Sequence, residues 1–161
     1  MPTLHFVCYG NICRSPFAEY YARLRAEKLG LSGWRFTSSG VGASPGTGTP
    51  KPGLTAAREH GVDLAAHRAR RVADDAPSAE DVVIAMDRYV FGVLAENMGT
   101  TLADVQGPGG STLRLMMQEL VAPGSADLDV PDPMGQGVSA YQTSYAVLVE
   151  AVDALLDRLA G

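Results

Sequence analysis

"LHFVCYGNICRSPFAEYYARL", residues 4–24, sets a short apolar run against a turn-rich loop and then a helical pattern. The β-rich run "LHFV" reads residues 3–8 as a strand, and the Gly10 and Asn11 that follow signal a turn. Ser15 followed by Pro16 has the pattern of an N-cap and a first helical position, with "FAEYYARLRAEKLG" continuing as an amphipathic helix to Gly30. Cys8, one of only two cysteines, thus stands at the end of a strand, where a loop leads into a helix N-terminus.

Outward from this unit the pattern repeats. "WRFTSS" (34–39) reads as a second strand, and "GVGASPGTGTPKPG" is too rich in Gly, Pro, Ser and Thr to be anything but loop. A helix is expected from about Pro52 to His60, closed by Gly61, and "DVVIAMD" (81–87) has the unbroken apolar character of a strand covered on both faces. "RYVFGVLAENMG" reads as helix, "TLADVQ" (101–106) as a fourth strand, "STLRLMMQELV" (111–121) as helix, and "GVSAYQTSYAVLVEAVDALLDRLA" as the longest helix. Alternation of this kind predicts one α/β domain spanning residues 1–161: a four-stranded parallel sheet with right-handed crossovers and helices on both faces. Such sheets bind ligands at the carboxyl ends of their strands, which is where Cys8 falls.

The loop "CYGNICRS" suits an oxyanion. Successive backbone N–H groups between a strand and a helix can converge on one point, and the helix dipole adds positive potential there. Gly10 is expected to supply a backbone conformation that a side chain would forbid. Arg14 adds a planar fork that grips two phosphate oxygens at once. A thiol in that setting is favoured as thiolate, which makes Cys8 a candidate nucleophile. The Ser15 hydroxyl is placed to stabilise it while capping the helix, and Asn11 is expected to brace the loop.

A thiolate that attacks a phosphate monoester displaces an alkoxide or phenoxide, and a positioned acid speeds that departure. "DLDVPDPMGQG" offers Asp127, Asp129 and Asp132 in a loop stiffened by prolines. No His, Cys and carboxylate cluster has metal-ligand spacing, and neither metal nor cofactor is expected to be needed.

Composition narrows the field. A net charge of −5 and only a short basic cluster, "HRARR" (67–71), argue against a nucleic-acid partner. With no basic leader and no apolar run long enough to span a bilayer, the chain is expected to be a cytoplasmic protein without a membrane partner. Two cysteines make no disulfide framework.

"VCYGNICRSP" closely resembles the active-site signature of the low-molecular-weight protein tyrosine phosphatases. "SSGVGAS", "HGVDLAAHRARRV", "VVIAMDR" and "VPDPMGQG" follow in that family's order and spacing, so the resemblance covers most of the chain. It implies hydrolysis of protein phosphotyrosine through a phosphocysteine on Cys8, with Arg14 and the loop of Tyr9, Gly10, Asn11, Ile12, Cys13 and Ser15 holding the phosphate. It selects Asp132, in its "Asp-Pro" dipeptide, as general acid and then base. It also implies supporting roles for Ser38, His67 and Asp87, with His67 bonded to the active-site Asn and Ser, and a phosphotyrosine-bearing protein as partner; a cognate tyrosine kinase is a further candidate partner. A reversible disulfide between Cys8 and Cys13 is one reading of the second cysteine and plain loop packing the other.

Two family features are missing. Ser44 and Met134 occupy the cleft positions where many members carry aromatic rings, and Tyr9 is expected to offer a replacement ring at the substrate rim. Three other readings stand beside the tyrosine phosphatase. A related branch that dephosphorylates arginine carries a small hydroxyl residue where this chain has Ile12. A thiol-dependent arsenate reductase would need cysteines beyond Cys13, and a silent anion-binding or redox-sensing module would need a misplaced Asp132 loop.

Overall fold

The computed structural model describes residues 2–72, 82–98, 113–116 and 127–161. Its first strand, β1 (Thr3–Cys8), organises what surrounds it. β1 pairs in parallel with β2 (Arg35–Gly40) on one side and β3 (Val82–Ala85) on the other, and β3 pairs in parallel with β4 (Leu113–Met116). The order is β2-β1-β3-β4, so the cysteine strand is central. The connecting helices are α1 (Arg14–Lys28), α2 (Lys51–Arg58) and α3 (Arg88–Met98), and α4 (Val138–Ala160) closes the chain.

Alternation along β1 divides the core in two. Leu4, Phe6 and Cys8 face a large cluster with Phe17 and Tyr21 of α1 and Tyr145, Leu148 and Val152 of α4. Val7 faces the other side, with Val83 and Ala85 under Val90, Phe91 and Leu94 of α3. Helices therefore cover both faces. Phe17 stacks on Tyr145 at 4.0 Å and on Tyr21 at 5.7 Å between centroids, tying the first and last helices together. Each such ring removed from water contributes about 1.5–3 kcal/mol. Among the described residues no helix is long and apolar enough to cross a membrane.

His5 interrupts the apolar run of β1, yet it is buried. Its Nδ1 lies 2.5 Å from Thr37 Oγ1 and its Nε2 2.7 Å from Ser39 Oγ on the neighbouring strand, so the polar ring is satisfied inside the sheet.

Local signals place the helix ends. Gly30 (φ 72°) stops α1 while Leu31 N–H donates to Ala26 O and Gly30 N–H to Glu27 O, a Schellman closure. Gly61 (φ 74°) does the same after α2.

Two expectations need correction. The segment read as helix over 111–121 contains β4 at Leu113–Met116. Leu, Arg and Met favour helix in isolation, but parallel pairing with β3 overrides that preference. Residues 101–106, read as the fourth strand, lie outside the described residues. Finally, α1 starts at Arg14 with Cys13 at the cap position, so Ser15 is inside the helix rather than capping it. Pro16 is tolerated there because first-turn amides have no intrahelical acceptor.

Candidate active site

β1 delivers Cys8 to the carboxyl edge of the sheet opposite Gly40, and the loop over residues 9–13 turns directly into α1. The turn needs very close backbone approach. A Cβ at Gly40 would lie 2.5 Å from Tyr9 O and 2.9 Å from Asn11 N, so only glycine lets the loop settle on the end of β2. The left-handed residue of the loop is Asn11 (φ 53°) and not Gly10, where an added Cβ would meet only Ile12 at an ordinary 3.6 Å. This corrects the role expected of Gly10. Asparagine tolerates that conformation because its short polar side chain can bond locally.

Asn11 uses its side chain fully. Nδ2 donates to Ser15 Oγ and Ser38 Oγ, both at 2.9 Å, and Oδ1 accepts the Arg70 N–H at 2.9 Å. Its backbone N–H donates to Cys8 Sγ at 3.1 Å, and its carbonyl accepts from His67 Nε2 at 2.7 Å. His67 thus meets the loop through the Asn11 main chain. Ser38 in turn donates to Glu19 Oε1 at 2.6 Å. Glu19, which also pairs with Arg23, is a supporting residue that motif reading missed. Its one signal is its place four residues after Ser15, on the same face of α1.

Cys8 Sγ lies 2.9 Å from Ser15 Oγ, so the serine hydroxyl that was expected to cap α1 is engaged with the thiol and with Asn11 instead. Cys13, at the cap position, makes no side-chain cap bond, leaving the helix N-terminus open to an anion. Both cysteines are free thiols. Cys13 Sγ sits 3.2 Å from Tyr141 Oη and 3.8 Å from Met134 Sδ. Burial is the main cause that pushes its thiol up to about 11, the Tyr141 bond opposing it. Burial first and the Cys13 bond second also raise the Tyr141 hydroxyl above the ordinary tyrosine range.

Arg14 is buried, and its guanidinium is held at one nitrogen: Nη1 donates to Asp87 Oδ2 and to Val130 O, both at 2.9 Å. A buried guanidinium persists only when paired. Asp87 uses its other oxygen, Oδ1, to accept the Val90 N–H at 2.8 Å, so it caps α3 and orients Arg14 at once.

The three aspartates of the C-terminal loop separate by contact. Asp127 Oδ1 accepts the Asp129 N–H, and Asp129 Oδ1 accepts the Arg88 N–H at 2.8 Å, docking the loop on α3. Val130 N–H donates to Met86 O. Asp132 is half exposed, with Oδ2 3.7 Å from Arg14 Nη2 and Oδ1 accepting the Met134 N–H.

A cleft of about 310 Å³ joins these pieces, lined by Cys8, Arg14, Ile12 and Asp132 at its chemical end and by Tyr9, Gly42, Ser44, Thr47 and Met134 toward solvent. Gly10 and Cys13 complete the lining. The small-residue wall is pinned rather than loose: Gly46 N–H donates to Ala69 O and Ala69 N–H to Thr47 O. The fold thus brings Cys8, Tyr9, Gly10, Ile12, Cys13, Arg14, Ser44, Asp132 and Met134 to one cleft and sets Asn11, Ser15, Ser38, His67 and Asp87 behind it.

A parallel α/β sheet whose central strand ends in a thiol within such a loop belongs to the architecture of the small cysteine-dependent phosphatases. The chain is a member of the low molecular weight phosphotyrosine protein phosphatase family, whose model matches residues 3–161. It is 34% identical over 140 residues to the low molecular weight protein-tyrosine-phosphatase YfkJ of Bacillus subtilis, covering 85% of this chain and 83% of that one. It is 32% identical over 162 residues to the low molecular weight protein-tyrosine-phosphatase of Streptomyces coelicolor, covering 94% and 89%. Among solved structures, a mutant YwlE arginine phosphatase with a phosphorylated active site serine superposes with a TM-score of 0.79 at 27% identity, covering 98% of this chain and 95% of that one.

Proposed function

We propose that the chain hydrolyses phosphotyrosine in proteins through a phosphocysteine intermediate on Cys8. The observation that supports this most is the thiol itself: it accepts the Asn11 amide at 3.1 Å, touches the Ser15 hydroxyl at 2.9 Å, and shares its cleft with Arg14 and Asp132. The Cys8 thiolate attacks phosphorus in line with the departing phenoxide, while the loop amides and the Arg14 guanidinium hold the equatorial oxygens. Asp132 gives its proton to the phenoxide oxygen. In the second half Asp132 takes a proton from water, which attacks the phosphocysteine and releases phosphate, and the Ser15 hydroxyl stabilises the departing thiolate.

The reading extends to a phosphoprotein substrate and a cognate tyrosine kinase that charges it. A second reading, phosphoarginine, has the YwlE likeness in its favour. Against it stands Ile12, an apolar side chain lining the cleft where a guanidinium would seek polar partners. Phosphate release from paired peptides that differ only in phosphotyrosine or phosphoarginine decides between them. Faster turnover of the phosphotyrosine peptide supports the first reading; a preference for phosphoarginine overturns it.

A further inference from the structure

Among the described residues the exposed large apolar side chains are Tyr9 (51% exposed), Leu29 (44%), Tyr89 (65%) and Met134 (55%). Three of them gather at one place. Tyr9 and Met134 line the cleft mouth, and Tyr89 meets Tyr9 ring to ring, 6.1 Å between centroids and tilted by 48°. Apolar surface concentrated beside a cleft marks a contact site more strongly than the same surface scattered.

The Tyr9 ring has a seat on the loop: a Cβ at Gly42 would come within 2.5 Å of its Cζ, so glycine there lets the ring lie against the backbone, with Tyr89 as its ring neighbour. Tyr89 stands in the first turn of α3, the turn capped by the same Asp87 that orients Arg14. The outer ring is thereby tied to the phosphate-binding group through one carboxylate. Arg88 next to it is engaged by Asp129, through its N–H at 2.8 Å and its Nε at 3.5 Å.

We propose that Tyr9 and Tyr89 form an outer subsite that takes an aromatic or large aliphatic side chain flanking the phosphorylated residue of a protein substrate. This rests on the phosphatase reading above and names the substrate class for it.

The test compares native protein with Tyr89→Ala and Tyr89→Phe on p-nitrophenyl phosphate and on phosphotyrosine peptides flanked on either side by Phe, Leu or Ser. Tyr89 is not among the residues that line the cleft. Tyr89→Ala is expected to lose about 3- to 10-fold in kcat/KM on the Phe- and Leu-flanked peptides, the size of one aromatic packing contact. The Ser-flanked peptide and p-nitrophenyl phosphate should be unaffected, with Tyr89→Phe close to native throughout. Equal values for Tyr89→Ala and native protein on all peptides would overturn the subsite while leaving the phosphatase reading intact. A native protein that hydrolyses no aryl phosphate would overturn both.

Discussion

Two buried side chains in the loop do different work. Asn11 joins the thiol, Ser15, Ser38 and the 67–70 segment, while Cys13 packs against Tyr141 and Met134. The Cys13 thiol, pushed up to about 11 from 9.0 chiefly by burial, carries a consequence for stability. Below pH 9 both folded and unfolded chains keep this proton and its full contribution is present. Between about pH 9 and 11 the unfolded chain releases the proton while the folded chain retains it, so stability falls with a slope of about 1.4 kcal/mol per pH unit from this group. Denaturant midpoints measured from pH 8 to 11 should therefore decline less steeply in Cys13→Ala than in the native protein. Parallel curves would show that burial of Cys13 does not control its proton.

At the scale of elements, the site depends on how two distant segments clasp the end of β1. The N-terminus of α3 and the loop over 127–133 both reach Arg14, the first through Asp87 and the second through the Val130 carbonyl. Asp87 serves two donors with two oxygens, so asparagine, with one oxygen, can serve only one of them. Asp87→Ala removes the α3 cap, worth about 1 kcal/mol, and unpairs a buried guanidinium, for a total of about 3 kcal/mol or more. Vanadate binding should weaken along with stability. Asp87→Asn should recover only the cap's share, about 1 kcal/mol, and still bind vanadate less tightly than native protein. Native-like vanadate affinity in Asp87→Ala, read by inhibition or calorimetry, would remove Asp87 from the account of Arg14.

For the whole molecule, what was legible in the sequence was what is local. The strand, loop and helix around Cys8 follow from neighbouring residues, as do the glycine-terminated ends of α1 and α2. Pairing and close approach were not. β4 is a strand because β3 lies beside it, and Gly40 and Gly42 are explained only by Tyr9 and Asn11 folding onto them. Asn11 rather than Gly10 takes the left-handed turn because three hydrogen bonds hold its side chain there. "DLDVPDP" offers three aspartates of equal merit on composition; the family resemblance selects Asp132, and the docking of Asp129 on Arg88 leaves Asp132 to face Arg14. Tyr89 carried no motif at all, since its meaning lies in a ring 80 positions away. All of these contacts converge on one thiol. The most direct test is to quench the protein during turnover of an aryl phosphate, locate the phosphoryl group by peptide mass, and repeat the turnover measurement with Cys8→Ser. The account predicts phosphate on Cys8 and no turnover by the variant; phosphate on another residue, or a Cys8→Ser protein that still turns over, would contradict it.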